Sequence, residues 1–174
     1  MTVVFLSTYH IYSTPPLRLK CVPILSSFLI SVAVLATVLS GYFFISPDKN
    51  FHMFPISLAV GIMVVFTLAA NVRDVKDIAG DRAEGINTLP ILFGKDGIRI
   101  TGLLFATSFL LIPVFLSFRV LYVIAIPAAI IGYKFVLRKP YKENYIFMLY
   151  FAFFYVASFL FILSYYKPDL FKFF

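Results

Sequence analysis

Five apolar runs leave this 174-residue chain little choice of fold. They cover residues 22–45, 54–70, 98–118, 120–137 and 145–166. A bilayer's hydrocarbon core is ~30 Å thick, and a helix rising ~1.5 Å per residue needs about 20 residues to cross it. Each run is near that length. Backbone groups left unpaired in hydrocarbon cost several kcal/mol apiece, so such runs form helices and not open strands. The sequence therefore predicts an all-α membrane protein with about five transmembrane helices. No internal repeat, low-complexity segment or soluble second domain is visible, so residues 1–174 read as one domain. Pro113 and Pro127 fall inside runs, which membrane helices tolerate. The third and fourth runs are interrupted only around Arg119, which predicts a tight helical hairpin.

Composition excludes the soluble alternative. Charged residues make up 13% of the chain, against about 25% in an ordinary soluble domain. The single cysteine, Cys21, rules out an internal disulfide. Residues 1–11 lack the basic start and cleavage site of a signal peptide. Their short apolar stretch, residues 2–6, cannot span a membrane and reads as the tail of an apolar helix.

The net charge of +7 does not point to nucleic acid here, because loop charges also set membrane orientation. One side carries Arg18, Lys20, Arg73, Lys76, Arg82, Lys95, Arg99, Lys134, Arg138, Lys139 and Lys142. The other carries Lys49, Arg119, Lys167 and Lys172. The richer side is expected to be cytoplasmic. The expectation is a multi-pass protein in membrane lipid, with residues 71–97 facing the cytoplasm.

That polar stretch holds five of the eight acids: Asp74, Asp77, Asp81, Glu84 and Asp96. If residues 71–81 continue the second helix, Asp74, Asp77 and Asp81 fall within an arc of about 60° at ~100° per residue. Like charges so placed repel. A cation relieves the repulsion, and hard oxygen ligands favour Mg²⁺, which typically uses one or two carboxylates together with substrate phosphates. Arg73, Lys76 and Arg82 are interleaved with the acids and suit phosphate oxygens. The bland alternative is a solvated helix end with pairs such as Asp77–Arg73 and Asp77–Arg82.

Residues 12–20, Tyr-Ser-Thr-Pro-Pro-Leu-Arg-Leu-Lys, cannot be a regular helix through their two prolines. Arg18 and Lys20 either face a diphosphate or mark the cytoplasmic side. The loop at residues 138–144 reads as a topology determinant. His10 and His52 are far apart and do not make a histidine metal site. An ion transporter would want ionisable groups inside the spans, and only Lys134 comes near.

The run from Asn71 through Asp74, Asp77 and Asp81 to Gly85-Ile-Asn-Thr88-Leu-Pro90 resembles the second Asp-rich motif of the UbiA family of intramembrane prenyltransferases. The segment from Tyr12 to Lys20 resembles that family's loop before its fifth helix. The resemblance implies a nine-helix bundle around a central cavity. In that bundle two Asp-rich motifs hold Mg²⁺ and the diphosphate of an allylic substrate. The isoprenyl group passes to an aromatic or lipid acceptor, in quinone-type or ether-lipid-type biosynthesis. It further implies Asp74, Asp77 and Asp81 as catalytic and metal-binding residues. Arg73, Lys76, Arg82, Arg18 and Lys20 would bind diphosphate, with Tyr12 and Asn71 at the cavity rim. The family's first Asp-rich motif has no counterpart in this chain. The five helices then correspond to the fifth through ninth, and residues 1–11 to a remnant of the fourth. An enzyme completed by a missing N-terminal half is the expectation. A non-catalytic membrane fragment or helical partner is the alternative.

Overall fold

The computed structural model describes residues 22–47 and 50–167. Residues 1–11, Tyr12, Arg18, Lys20 and Cys21 lie outside the described residues. The helices are α1 (Leu25–Ile45), α2 (Ile56–Ala70), α3 (Asp74–Ala83), α4 (Leu89–Leu92), α5 (Gly97–Phe115), α6 (Tyr122–Leu137) and α7 (Glu143–Tyr166). Five helical stretches are long and apolar enough to cross a membrane: Leu25–Ile45, Ile56–Ala83, Gly94–Phe115, Arg119–Leu137 and Glu143–Tyr166. They coincide with the five apolar runs, and no strand occurs among the described residues. The chain is an all-α, multi-pass membrane protein.

Helices that follow one another mostly pack together: α1 on α2, α2 on α5, α5 on α6, and α6 on α7. The centre is α5, where Phe105 and Phe109 are wholly enclosed. In hydrocarbon no water is expelled between helices, so close van der Waals fit decides which faces meet. On α6 the facing residues are small. Ala125, Ala128, Ala129 and Gly132 repeat at intervals of three and four and are all buried. A Cβ on Gly132 would come within 2.7 Å of the Phe105 ring. α7 is fastened to α5 by larger groups. Its Tyr150 and Phe153 rings lie 4.9 and 5.0 Å from Phe109, and the Tyr150 hydroxyl is 3.0 Å from that of Ser108. The outward faces of α1 and α7 stay apolar and exposed, with Phe44, Phe159 and Tyr165 among them. Lipid is the solvent for such surfaces.

The hairpin expected around Arg119 is present, and its mechanism is a helix cap. The Ser117 N–H donates to the Val114 carbonyl and the Phe118 N–H to that of Pro113. These two bonds satisfy the last carbonyls of α5 in the Schellman pattern. The pattern needs a left-handed residue, and Ser117 supplies it with φ of 51°. A side chain in that conformation is strained by roughly 1–2 kcal/mol. Ser117→Gly is therefore expected to raise thermal stability in detergent by about 1 kcal/mol, part of the relief being offset by a more flexible unfolded chain. A lower melting midpoint would count against this account of the turn.

Candidate active site

The second apolar helix does not stop where its apolar residues do. α2 tightens into one 3₁₀ turn over Asn71–Arg73 and continues as α3. The sequence expectation was an unbroken α-helix through Asp81. Three side-chain anchors gather around this tight turn. Asp74, Asp77 and Asp81 all lie beyond the turn, on one face of α3. Asp77 is exposed, while Asp74 and Asp81 are half-buried.

The first anchor is Asn71. It is 3% exposed, and its amide serves the protein itself. Ser27 Oγ on α1 donates to Asn71 Oδ1 at 2.9 Å. Asn71 Nδ2 donates to the Thr67 carbonyl at 2.7 Å. One turn further along the same seam, Thr67 Oγ1 donates to Ser31 Oγ at 3.0 Å. In the structure Asn71 thus belongs to the α1–α2 contact, not to an open cavity rim.

The other two anchors come from the loop before α7 and from the first residue of α7 itself. The Tyr141 hydroxyl donates to the Val72 carbonyl at 2.9 Å. Lys76 Nζ meets Glu143 Oε2 at 2.6 Å. Neither Asp77–Arg73 nor Asp77–Arg82 forms an ion pair among the described residues. Sequence reasoning treated residues 138–144 as a topology signal and missed Tyr141 and Glu143. One clue was available: Glu143 is the only acid in an otherwise basic loop.

The far end of α3 explains a glycine of the Gly-x-x-Thr-Leu-Pro run. Gly85 adopts φ of 70°, its N–H donates to the Arg82 carbonyl, and the Ile86 N–H donates to that of Asp81. This is a second Schellman cap, here with the residue that bears it at no steric cost. It turns the chain back toward α4. Gly97 then allows the first turn of α5 to lie against the Pro90 backbone, where a Cβ would collide with the Pro90 carbonyl.

Beside the acidic helix a groove of about 380 Å³ opens between α1, α2 and α7. Its walls are apolar, with Ile30, Val34, Phe66, Ile146, Phe151 and Phe154 among them. Its charged end carries Arg73, Tyr141 and Glu143. A second cavity of about 140 Å³ shares Phe66 and Phe154 with the first and is apolar down to Leu58 and Leu116. The two cavities lie one after the other along α2, with Phe66 and Phe154 as their common wall.

Among the described residues no three His, Cys, Asp or Glu side chains converge into a cage. Asp74, Asp77 and Asp81 occupy successive turns of one helix, with Asp77 and Asp81 in electrostatic reach of Asp74 and Arg73 as counter-charge. This donor set suits Mg²⁺ that keeps waters and shares its remaining positions with substrate phosphate. It does not suit an ion enclosed by protein alone.

Burial holds the Tyr141 hydroxyl up to about 12, and the charges of Glu143, Asp74 and Asp77 act in the same direction. Tyr141 therefore remains a neutral donor throughout the physiological range. Its hydrogen bond is fully in place below the ordinary tyrosine value near 10 and is lost as pH rises toward 12. In a spectrophotometric titration, the difference between wild type and Tyr141→Phe should show one phenol ionising near pH 12. Ionisation of that phenol near 10 would contradict the buried, carboxylate-flanked placement.

The sequence profile of the UbiA prenyltransferase family matches residues 1–159. No curated protein and no solved structure matches the chain. Nearly the whole length is covered by the family profile, and the chain belongs to the UbiA prenyltransferase family.

Proposed function

We propose that this chain carries the diphosphate-binding half of a prenyltransferase site and transfers an isoprenyl group from an allylic diphosphate to an aromatic or lipid acceptor. Prenyl transfer is the general activity of its family. The observation that carries the finer reading is the groove. An apolar groove ends at a polar mouth formed by Arg73, Tyr141 and Glu143, where α3 begins. An isoprenyl diphosphate has that same polarity, a long apolar chain with an anion at one end.

Asp74, Asp77 and Asp81 would hold Mg²⁺, which when bound neutralises charge on the departing diphosphate. Arg73 is the cation best placed for phosphate oxygens, since it is exposed and lines the groove. Arg82 is exposed on the same helix. Lys76 reaches the phosphate only by leaving Glu143. Arg18, Lys20 and Tyr12 complete the proposed set from the preceding loop. Phe66, Phe151 and Phe154 line the apolar path, where the groove keeps water away from a reacting allylic group. The acidic helix end is proposed to face the cytoplasm, on the loop charges.

A second acidic motif facing the first would complete the metal site, and residues 1–174 contain none. The test is release of diphosphate from an isoprenyl diphosphate by the purified chain in lipid vesicles. It is run alone and with a polypeptide that supplies an Asn-Asp-x-x-Asp segment. Release is expected to need both the polypeptide and Mg²⁺, to stop in EDTA, and to fall by about a hundredfold in Asp77→Ala. Mg²⁺-dependent release by the chain alone would show that one acidic motif suffices. No release under any condition would favour a non-catalytic helical partner.

A further inference from the structure

The acidic face of α3 is useful only if it points in a fixed direction. α3 continues α2 and seats Val75 in the core. The segment that enters α7 adds two polar contacts to that seating. Tyr141 holds the Val72 carbonyl just before Asp74, and Glu143 holds the Lys76 ammonium just after it. Val72 and Lys76 are four residues apart and lie on nearly the same side of the helix. One contact of this kind would fix where the helix sits. Two contacts one turn apart also fix its rotation about its own axis. Tyr141 and Glu143 are themselves two residues apart, the first in the short loop before α7 and the second the first residue of that helix. The clasp therefore ties the start of the acidic helix directly to the helix that forms the far wall of the groove.

We propose that Tyr141 and Glu143 are positioning residues of the carboxylate site: together they set the rotation of α3, and so the direction in which Asp74, Asp77 and Asp81 face. The proposal rests on the metal–diphosphate reading of that face. Exposure argues for this role over a stabilising one. Lys76 is 44% exposed and Glu143 24%, and ion pairs in water contribute little to stability. Such a pair still defines a geometry. The Tyr141 bond is better shielded, and its donor stays protonated.

Charge provides a test in which the alternatives have opposite signs. Glu143 is an anion at the mouth of a site read as binding another anion. If it acted through its charge alone, Glu143→Gln would tighten diphosphate binding. If it positions the acids, Glu143→Gln loosens it. Tyr141→Phe changes no charge and should loosen binding through geometry alone.

The experiment uses the full chain in lipid vesicles, with Mn²⁺ replacing Mg²⁺ and inorganic pyrophosphate as the probe. Bound Mn²⁺ is read by electron paramagnetic resonance, and amide hydrogen exchange is followed across α3 and α5. The expected result is a dissociation constant about fivefold weaker in each variant, the size that loss of one hydrogen bond supports. Exchange should quicken in residues 74–83 and stay unchanged in the core of α5. Tighter binding by Glu143→Gln would overturn the proposal, as would unaltered exchange across α3 in both variants. A lower melting temperature with unchanged binding would reduce the clasp to a structural contact and likewise overturn it. Failure of the wild-type chain to bind Mn²⁺ with pyrophosphate is a different result. It would remove the metal–diphosphate reading itself, whatever the exchange data said of the clasp.

Discussion

A backbone amide without a partner in hydrocarbon costs several kcal/mol, and the cost is paid in water only where a helix emerges. Everything chemical in this protein follows from how one helix emerges. α2 crosses as an apolar helix, reaches Ala70, and continues as the polar helix α3. A helix that frayed at the interface would scatter its carboxylates. Here the transition is held by side chains from α1, from the loop before α7, and from the helix itself. The tight turn at Asn71–Arg73 lies where these contacts meet.

Among the described residues, the buried polar side chains of the long helices are few and paired, while Thr88 Oγ1, before α4, has no partner. Ser27, Ser31, Thr67 and Asn71 form a seam between α1 and α2, and Ser108 with Tyr150 joins α5 to α7. In a core where every face is apolar, hydrophobicity cannot tell one rotation of a helix from another. A buried polar group left unpaired costs about 1–3 kcal/mol, so each pair penalises the wrong rotation. The seam sets α2 against α1 and therefore decides which side of α2 lines the groove. Small residues on α6 and large rings on α7 then set how closely each lies to α5.

Much of this was legible in the sequence because it depends on short-range periodicity. Run length gave the five spans, and the spacing of Asp74, Asp77 and Asp81 gave a shared face whatever the rest of the fold did. The contacts around the tight turn were not legible, since they come from Ser27 and Tyr141, 44 and 69 residues away from their partners. The partner of Asn71 was hidden for the same reason, since Ser27 lies on another helix. The partner of Lys76, Glu143, is 67 residues further on. Gly85 was recognised as part of a motif, but its physical function as a left-handed helix cap needs the backbone to be seen.

On the proposed reading, the groove and the acidic helix would divide the work of holding one amphipathic molecule. Electrostatic contacts strengthen where water is scarce, while a charged group cannot be drawn far into an apolar groove without great cost. A diphosphate at Arg73 and the α3 carboxylates would sit at the boundary between these two regimes, with its chain in the apolar groove. Tyr141 and Glu143 stand at that boundary and belong to both regions, lining the groove on one side and gripping the acidic helix on the other. A change in the segment that enters α7 would therefore alter the wall along the isoprenyl chain and the aim of the carboxylates together, which couples the apolar subsite to the charged one through two side chains.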